Sequence, residues 1–138
     1  MTGLVGGTSG NPVHDGINSH GMRCWVTAPK PVSAFELRRF AAALMAAIAT
    51  ACLAAGAKDV SHVKAFLEHD LGFLHADAVG DPDQVKVEGR DGEPVRNFSL
   101  VVNAVIFGLS GDAVKKVTEA TVTATIDAFG FVGTSAAP

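Results

Sequence analysis

Hydrophobic residues along this chain follow two patterns, one with the period of a helix and one with the alternation of a strand. The longest uncharged run extends from Phe40 to Ala57. Ser33, followed by Glu36, is a capping-box pattern, so the helix is expected to begin near Ser33. Apolar residues around most of the circumference predict a buried helix. Its expected inward residues are Leu37, Phe40, Leu44, Ile48 and Cys52, with Met45, Ala49 and Leu53 beside them.

The same run reaches the length of a membrane-spanning helix. About half of it is alanine, which contributes little transfer free energy. Gly56 also stands where a C-cap glycine belongs. We therefore predict a core helix and no transmembrane span. The N-terminus has no basic region followed by an apolar run, so no signal peptide is expected.

Strict alternation of apolar and polar residues predicts strands elsewhere in the chain. The segment from Asn97 to Leu109 is apolar on both faces, which is typical of a central strand covered on both sides. Three further strands and one short strand are expected around it. They are Met22 to Ala28, Val60 to Glu68, Phe73 to Val79 and the short Gln84 to Glu88.

A second helix is predicted from Asp112 to Phe129, capped by Ser110. The order strand, helix, two or three strands, strand, helix indicates an α+β domain: an antiparallel sheet of four to five strands with both helices on one face. The domain is expected to span residues 22–132, after a Gly-rich tail (1–21) that is disordered or binds a partner and before a C-terminal tail (133–138). The expected inner stripe of the second helix is Val114, Val117, Thr121 and Ala124.

Charge and cysteine content narrow the class of protein. A net charge of −3 without a basic run argues against nucleic-acid binding. Charged residues make up 18% of the chain, below the roughly 25% of an average domain, which favours an oligomer or a subunit. Cys24 and Cys52 form no CxxC pair, so we expect free buried thiols and a cytoplasmic location.

Histidines are the main candidates for site chemistry. His62 and His75 lie on neighbouring predicted strands near carboxylates, so a metal or ligand site that also uses Lys64 is one hypothesis. In a strand, His62 and His69 point to opposite faces, which weakens a metal site. The polar tail carries His14 and, at its end, His20. We find no catalytic constellation and predict no enzyme activity and no cofactor.

Two helices can cover only one face of the predicted sheet, while its long strand is apolar on both. Self-association would bury the uncovered apolar surface, which would otherwise favour aggregation. The expected interface residues are Trp25, Leu44, Ala47, Phe66, Val101, Val105 and Phe107.

Residues 22–80 resemble the C-terminal domain of CobW-type metallochaperone GTPases. The resemblance rests on VTAPKPV with Pro29 and Pro31, the helix start AFELRRF with Leu37, and the HVKAF strand with Lys64. The GTPase domain and its cysteine motif are absent from this sequence. The resemblance therefore implies a free-standing protein-interaction domain, without GTP hydrolysis or metal transfer.

Two functional hypotheses follow from the sequence. The first is a non-enzymatic scaffold or accessory subunit that forms homo-oligomers through apolar helix and sheet faces. Its tail would attach it to a larger complex, such as a multisubunit redox enzyme. The second is a small metal- or ligand-binding accessory domain that uses His62, Lys64 and His75.

Overall fold

A computed structural model describes residues 16–135. They form six strands and two helices. In chain order these are β1 (Ile17–Val32), α1 (Ala34–Ala54), β2 (Asp59–His69), β3 (Gly72–Ala78), β4 (Val85–Arg90), β5 (Val95–Phe107), α2 (Gly111–Ala128) and β6 (Val132–Ser135).

All six strands form one antiparallel sheet in the order β4-β3-β2-β5-β1-β6. Because β5 lies between β1 and β2, the topology is a split β-α-β arrangement, and the β3-β4 hairpin widens the sheet beyond β2. Buried residues alternate along the strands, and both helices cover the same face. The predicted α+β fold class is confirmed, with six strands rather than four or five.

The first helix begins and ends close to the predicted positions. The Ser33 hydroxyl accepts a hydrogen bond from the Glu36 N–H at 3.1 Å, and Gly56 follows the helix at a φ of +110°, where a side chain would be strained. By length and composition α1 meets the criteria for a membrane span, but here it is the core helix. Eight of its residues are buried: Leu37, Phe40, Ala41, Leu44, Met45, Ile48, Ala49 and Cys52.

The second helix is rotated about its axis relative to the prediction. Ser110 caps it as expected, accepting from the Ala113 N–H at 3.1 Å. Val114 faces inward, but Ala124 is exposed. After Val114, the predicted stripe continues through Val117, Thr121 and Ala124, whereas the buried stripe lies one position further along the chain. The buried residues are Val114, Thr118, Val122, Thr125 and Ile126.

The first and the last strand of the chain differ from the prediction. β1 begins at Ile17, five residues before the expected start at Met22, and β6 lies where a C-terminal tail was expected. The early part of β1 is polar, and its side chains are bound by α2 and by the loop that precedes α2. Asn18 donates to the Leu109 carbonyl at 2.8 Å, and His20 lies 3.0 Å from a carboxylate oxygen of Glu119. Residues 1–15 and 136–138 of the predicted tails lie outside the described residues.

Four phenylalanines join α1, α2, β5 and the approach to β6. The ring of Phe40 lies 5.8 Å from that of Phe98, 5.2 Å from Phe129 and 5.5 Å from Phe131. The first two contacts are edge-to-face, a favoured geometry for aromatic pairs. This cluster holds the helix layer on one face of the sheet, so the candidate site is on the other face.

Candidate functional site

The second face of the sheet is uncovered among residues 16–135, and we call it the open face. Cross-strand register places alternate residues of five strands on it, since directly opposed residues share a face. These residues are Arg23 and Trp25 of β1; Val101, Asn103, Val105 and Phe107 of β5; His62, Lys64, Phe66 and Glu68 of β2; Phe73, His75 and Asp77 of β3; and Lys86, Glu88 and Arg90 of β4.

Phe66 occupies the centre of the open face. It is opposite Val101 on one side and His75 on the other. Its ring centroid is 4.6 Å from that of His75 and 6.2 Å from that of Phe73. The three rings and Val101 therefore form an apolar centre that is only partly shielded by its own neighbours.

A shallow depression of about 290 Å³ adjoins this centre. Lys64 stands between Asn103 and Asp77 in the strand register. Among residues 16–135, no carboxylate lies within ion-pair distance of the Lys64 ammonium. The depression thus combines an apolar wall formed by Phe66 with the Lys64 ammonium, and the Asp77 carboxylate also lines it.

A larger depression of about 700 Å³ lies at the end of the sheet beside Trp25. Glu68, Arg96 and Ser99 contribute polar groups to it. The Arg96 Nε donates to the Ala28 carbonyl at 3.3 Å, so one nitrogen of its guanidinium group is already bound. Trp25 itself is 55% exposed, which extends the apolar centre of the open face to this end.

Five of the seven predicted interface residues lie together on the open face: Trp25, Phe66, Val101, Val105 and Phe107. The prediction of Leu44 as an interface residue is wrong. It is 0% exposed and lies in the core between α1 and the sheet, so it cannot reach another molecule. Ala47 lies on the opposite side of the molecule, in a groove of small residues between α1 and α2.

The predicted histidine hairpin does not come together. His62 is opposite Val105, while His75 is opposite Phe66, four positions further along β2. Four strand residues span about 13 Å, too far for both rings to bind one ion. Within residues 16–135 no group of three His, Cys, Asp or Glu side chains could hold a metal.

The remaining histidines of the prediction have separate positions. The His69 ring accepts a hydrogen bond from the Leu71 N–H at 3.1 Å and so stabilises the β2-β3 turn. His20 belongs to β1 rather than to a tail and contacts Glu119 of α2. His14 lies outside the described residues.

Both cysteines are free and buried. Burial raises the pKa of the Cys24 thiol, and the nearby Glu119 carboxylate raises it further. Burial likewise raises the pKa of the Cys52 thiol. A protonated thiol is a poor nucleophile and a poor metal ligand, so neither cysteine has the electrostatic environment of a reactive one.

Comparison with known proteins gives limited similarity. No protein family and no curated protein sequence among those compared matches the chain. Two solved structures are similar to it: the Zn(II)-bound YjiA GTPase from E. coli, a CobW-family GTPase, and a Zn(II)-bound triple mutant of YjiA. Each is 17% identical with a TM-score of 0.33, over 76% of this chain and 29% of the GTPase chain. The chain thus spans less than a third of the length of these structures.

Proposed function

We propose that this chain is a non-catalytic interaction subunit that associates with a second copy of itself through the open face. The observation that supports the proposal is the uncovered sheet face with Phe66 and Val101 at its centre. Apolar patches rimmed by polar residues are typical of protein interaction sites. Here Glu88 and Lys86 of β4 form one rim, and Arg23 of β1 lies at the other.

The size of the open face suits a stable dimer. The five strands average about eleven residues, and at their usual spacing they give a surface of roughly 24 Å by 35 Å, or about 800 Å². A standard protein interface buries about 800 Å² on each partner. Two sheets pack face to face at about 10 Å with their strands within about 30° of each other, so one copy can cover most of the face of the other.

The charges on the open face favour a partner of the same composition. Arg23, Lys64, Lys86 and Arg90 face outward beside Glu68, Asp77 and Glu88. A surface with both signs can pair with itself without a large net repulsion, whereas a strongly charged partner would meet like charges. The proposal extends to two further points. The chain would belong to a larger cytoplasmic complex, and it would be related to the C-terminal domain of CobW-type GTPases.

A second candidate function is binding of a small anion in the depression beside Lys64. The observation that favours it is the ammonium of Lys64, which has no ion-pair partner among residues 16–135, next to the Asn103 amide and the Phe66 ring. A flat carboxylic acid would match this chemistry, with its carboxylate on Lys64 and its apolar part against Phe66. A face-to-face dimer would cover the depression, so the two candidates compete for one surface.

The first experiment measures assembly mass for two matched variants by sedimentation velocity over a range of concentrations. Phe66→Asp places a charge at the centre of the open face and is expected to give monomers. Phe35→Asp places the same charge on an exposed position of α1 and is expected to leave the dimer intact, because a carboxylate suits the first turn of a helix. Circular dichroism confirms that both variants are folded.

Val101→Lys is a second disrupting variant in case Phe66→Asp does not fold. A wild-type chain that is monomeric at all concentrations would refute the dimer. Isothermal titration with benzoate then tests the alternative. Saturable binding that is lost in Lys64→Met would favour the anion site, and no heat of binding would refute it.

A further inference from the structure

The larger depression beside Trp25, which we call the end depression, contains one row of residues from three neighbouring strands. Trp25 of β1 is opposite Ser99 of β5, and Ser99 is opposite Glu68 of β2 on its other side. All three side chains therefore lie on the open face, with the smallest one in the middle. The Ser99 hydroxyl donates to the Glu68 carbonyl at 3.4 Å and so lies toward β2. The row thus has a gap at its centre, between the indole ring and the carboxylate.

The width of this gap suits a cation. Neighbouring strands lie about 4.8 Å apart, so Trp25 and Glu68 stand on strands that are about 10 Å from each other. A positive charge above Ser99 would be about 5 Å from each of these two strands. A cation is attracted to the face of an aromatic ring within roughly 6 Å of its centroid. The end depression can therefore hold one cation between an indole ring and a carboxylate.

Neither group is occupied by a cation of the chain itself. Within the described residues, 16–135, Glu68 forms no ion pair. The cation–π contacts in this part of the chain involve the rings of Phe107 and Phe129, not that of Trp25. Trp25 is also more than half exposed. Both the indole ring and the carboxylate can therefore contact a ligand from solution.

The other charged side chains of the end depression do not reverse the preference for a cation. Asp70 adds a second carboxylate, and Arg96 contributes a guanidinium group. The Arg96 Nε donates to the Ala28 carbonyl at 3.3 Å, so this guanidinium group lies against β1, beyond Trp25. Because β5 separates β1 from β2, the guanidinium group is on the far side of β5 from Glu68. The charge on the Glu68 side of the depression is therefore negative.

We infer that the end depression binds a small molecule that carries a methylated ammonium group. Its volume of about 700 Å³ lies within the range of small-molecule sites. Quaternary ammonium groups are typical ligands of cation–π sites, and their methyl groups add apolar surface for contact with Trp25. Leu71, which also lines the depression and is exposed, offers further apolar surface. This site goes beyond the open-face dimer and does not depend on it.

An NMR titration of the wild-type chain with choline tests the inference. The chain is kept below the concentration at which it associates, and choline chloride replaces sodium chloride at constant ionic strength. The amide signals of Ser99 and Glu68 are expected to shift and to saturate below about 10 mM choline. The signal of Ala47, on the opposite side of the molecule, should not move. Shifts that rise linearly without saturation would overturn the inference.

A neutral analogue of choline is the matched control ligand. It has a tert-butyl group in place of the trimethylammonium group, so it has nearly the same shape without the charge. We expect it to bind much more weakly than choline, because it gains neither the attraction of the Glu68 carboxylate nor the cation–π contact with Trp25. Equal affinity for the two ligands would overturn the inference.

Matched variants assign the binding to the two groups. Glu68→Gln keeps the shape and removes the charge, and Trp25→Leu keeps an apolar side chain without the indole ring. Each is expected to weaken choline binding about fivefold or more, and both should fold because both positions are exposed. Glu88→Gln removes the same charge from another part of the open face and should leave the affinity unchanged. Unchanged affinity in Glu68→Gln, or equal weakening in Glu88→Gln, would contradict the site.

Ligand binding and assembly can fail separately. A chain that is monomeric at all concentrations but binds choline would refute the open-face dimer and support this site. A chain that dimerises but does not bind choline when dilute would refute the site only. Cosedimentation with phosphatidylcholine vesicles distinguishes the two sources of the ammonium group. Retention on the vesicles would assign a lipid head group and overturn the small molecule, whereas saturable choline binding without retention would support it.

Discussion

The two faces of β5 alternate residue by residue, yet they have different environments. Leu100, Val102 and Ile106 on the helix side are almost completely buried. Val101 and Val105 on the open side are of similar hydrophobicity but remain partly exposed. The difference is not in residue type but in what covers each face. An apolar residue on this strand therefore stabilises the fold on one face and is available for association on the other.

The largest expected change in the free energy of unfolding comes from the aromatic cluster on the covered face. Phe40→Ala should lower the free energy of unfolding by about 3–5 kcal/mol, because Phe40 is 0% exposed and contacts three other rings. Phe35→Ala, at a position 70% exposed on the same helix, should change it by about 0.5 kcal/mol or less. Urea denaturation of both variants measures the difference. Similar values would mean that α1 does not pack as described.

Adjacent positions on β5 sharpen the comparison. Leu100→Ala should cost about 2–5 kcal/mol by leaving a core cavity. Val101→Ala should cost about 1 kcal/mol or less in the monomer, while weakening association in sedimentation experiments. The reverse order of costs in urea denaturation would show that the open face is covered within the chain itself.

A buried hydroxyl on the covered face is expected to give a smaller effect of opposite sign. Thr118 is 0% exposed, and its Oγ1 has no hydrogen-bond partner among residues 16–135. Thr118→Val keeps the shape and removes an unsatisfied polar group, so we expect stabilisation of about 1 kcal/mol. Thr125→Val is the control, since the Thr125 hydroxyl donates to the Thr121 carbonyl at 2.8 Å. Thr125→Val should not stabilise the fold, and differential scanning calorimetry of both variants measures the difference.

The smallest expected effect is a change in pH dependence. Burial raises the pKa of the Cys24 and Cys52 thiols, so the unfolded chain loses these protons before the folded chain does. Their contribution to stability is complete below the unfolded thiol pKa of about 8.5 and is lost as the pH rises above it. Between about pH 7 and about pH 10, the wild type should lose more stability than Cys24→Ala/Cys52→Ala. An equal loss of stability in the wild type and the double variant, measured by urea denaturation, would contradict this.

Local sequence signals were sufficient for most of the fold. Ser33 and Glu36 locate the start of α1, and alternation locates β2, β3 and β5 within two residues, because capping and face alternation depend on near neighbours. The start of β1 could not be predicted in this way. Asn18 and His20 are acceptable in a strand only because Leu109 and Glu119, some ninety residues later, bind them.

The candidate site was partly predictable for the same reason. Alternation placed Trp25, Phe66 and Val101 on one face, and the structure brings them together. Leu44 was predicted both as an inward residue of the first helix and as an interface residue, and its complete burial agrees with the inward position only. The binding of Arg38 to β4 carbonyls depends on how α1 crosses the sheet and has no local signal.

Trp25 gives this molecule an intrinsic optical reporter. It is the sole tryptophan of a chain without tyrosine, and it lies on the open face and is 55% exposed. Tryptophan fluorescence therefore comes from this one position. Its emission maximum shifts to shorter wavelength when water around the ring is replaced by apolar contacts. Occupancy of the open face can thus be followed without a label, in dilute solution and in real time.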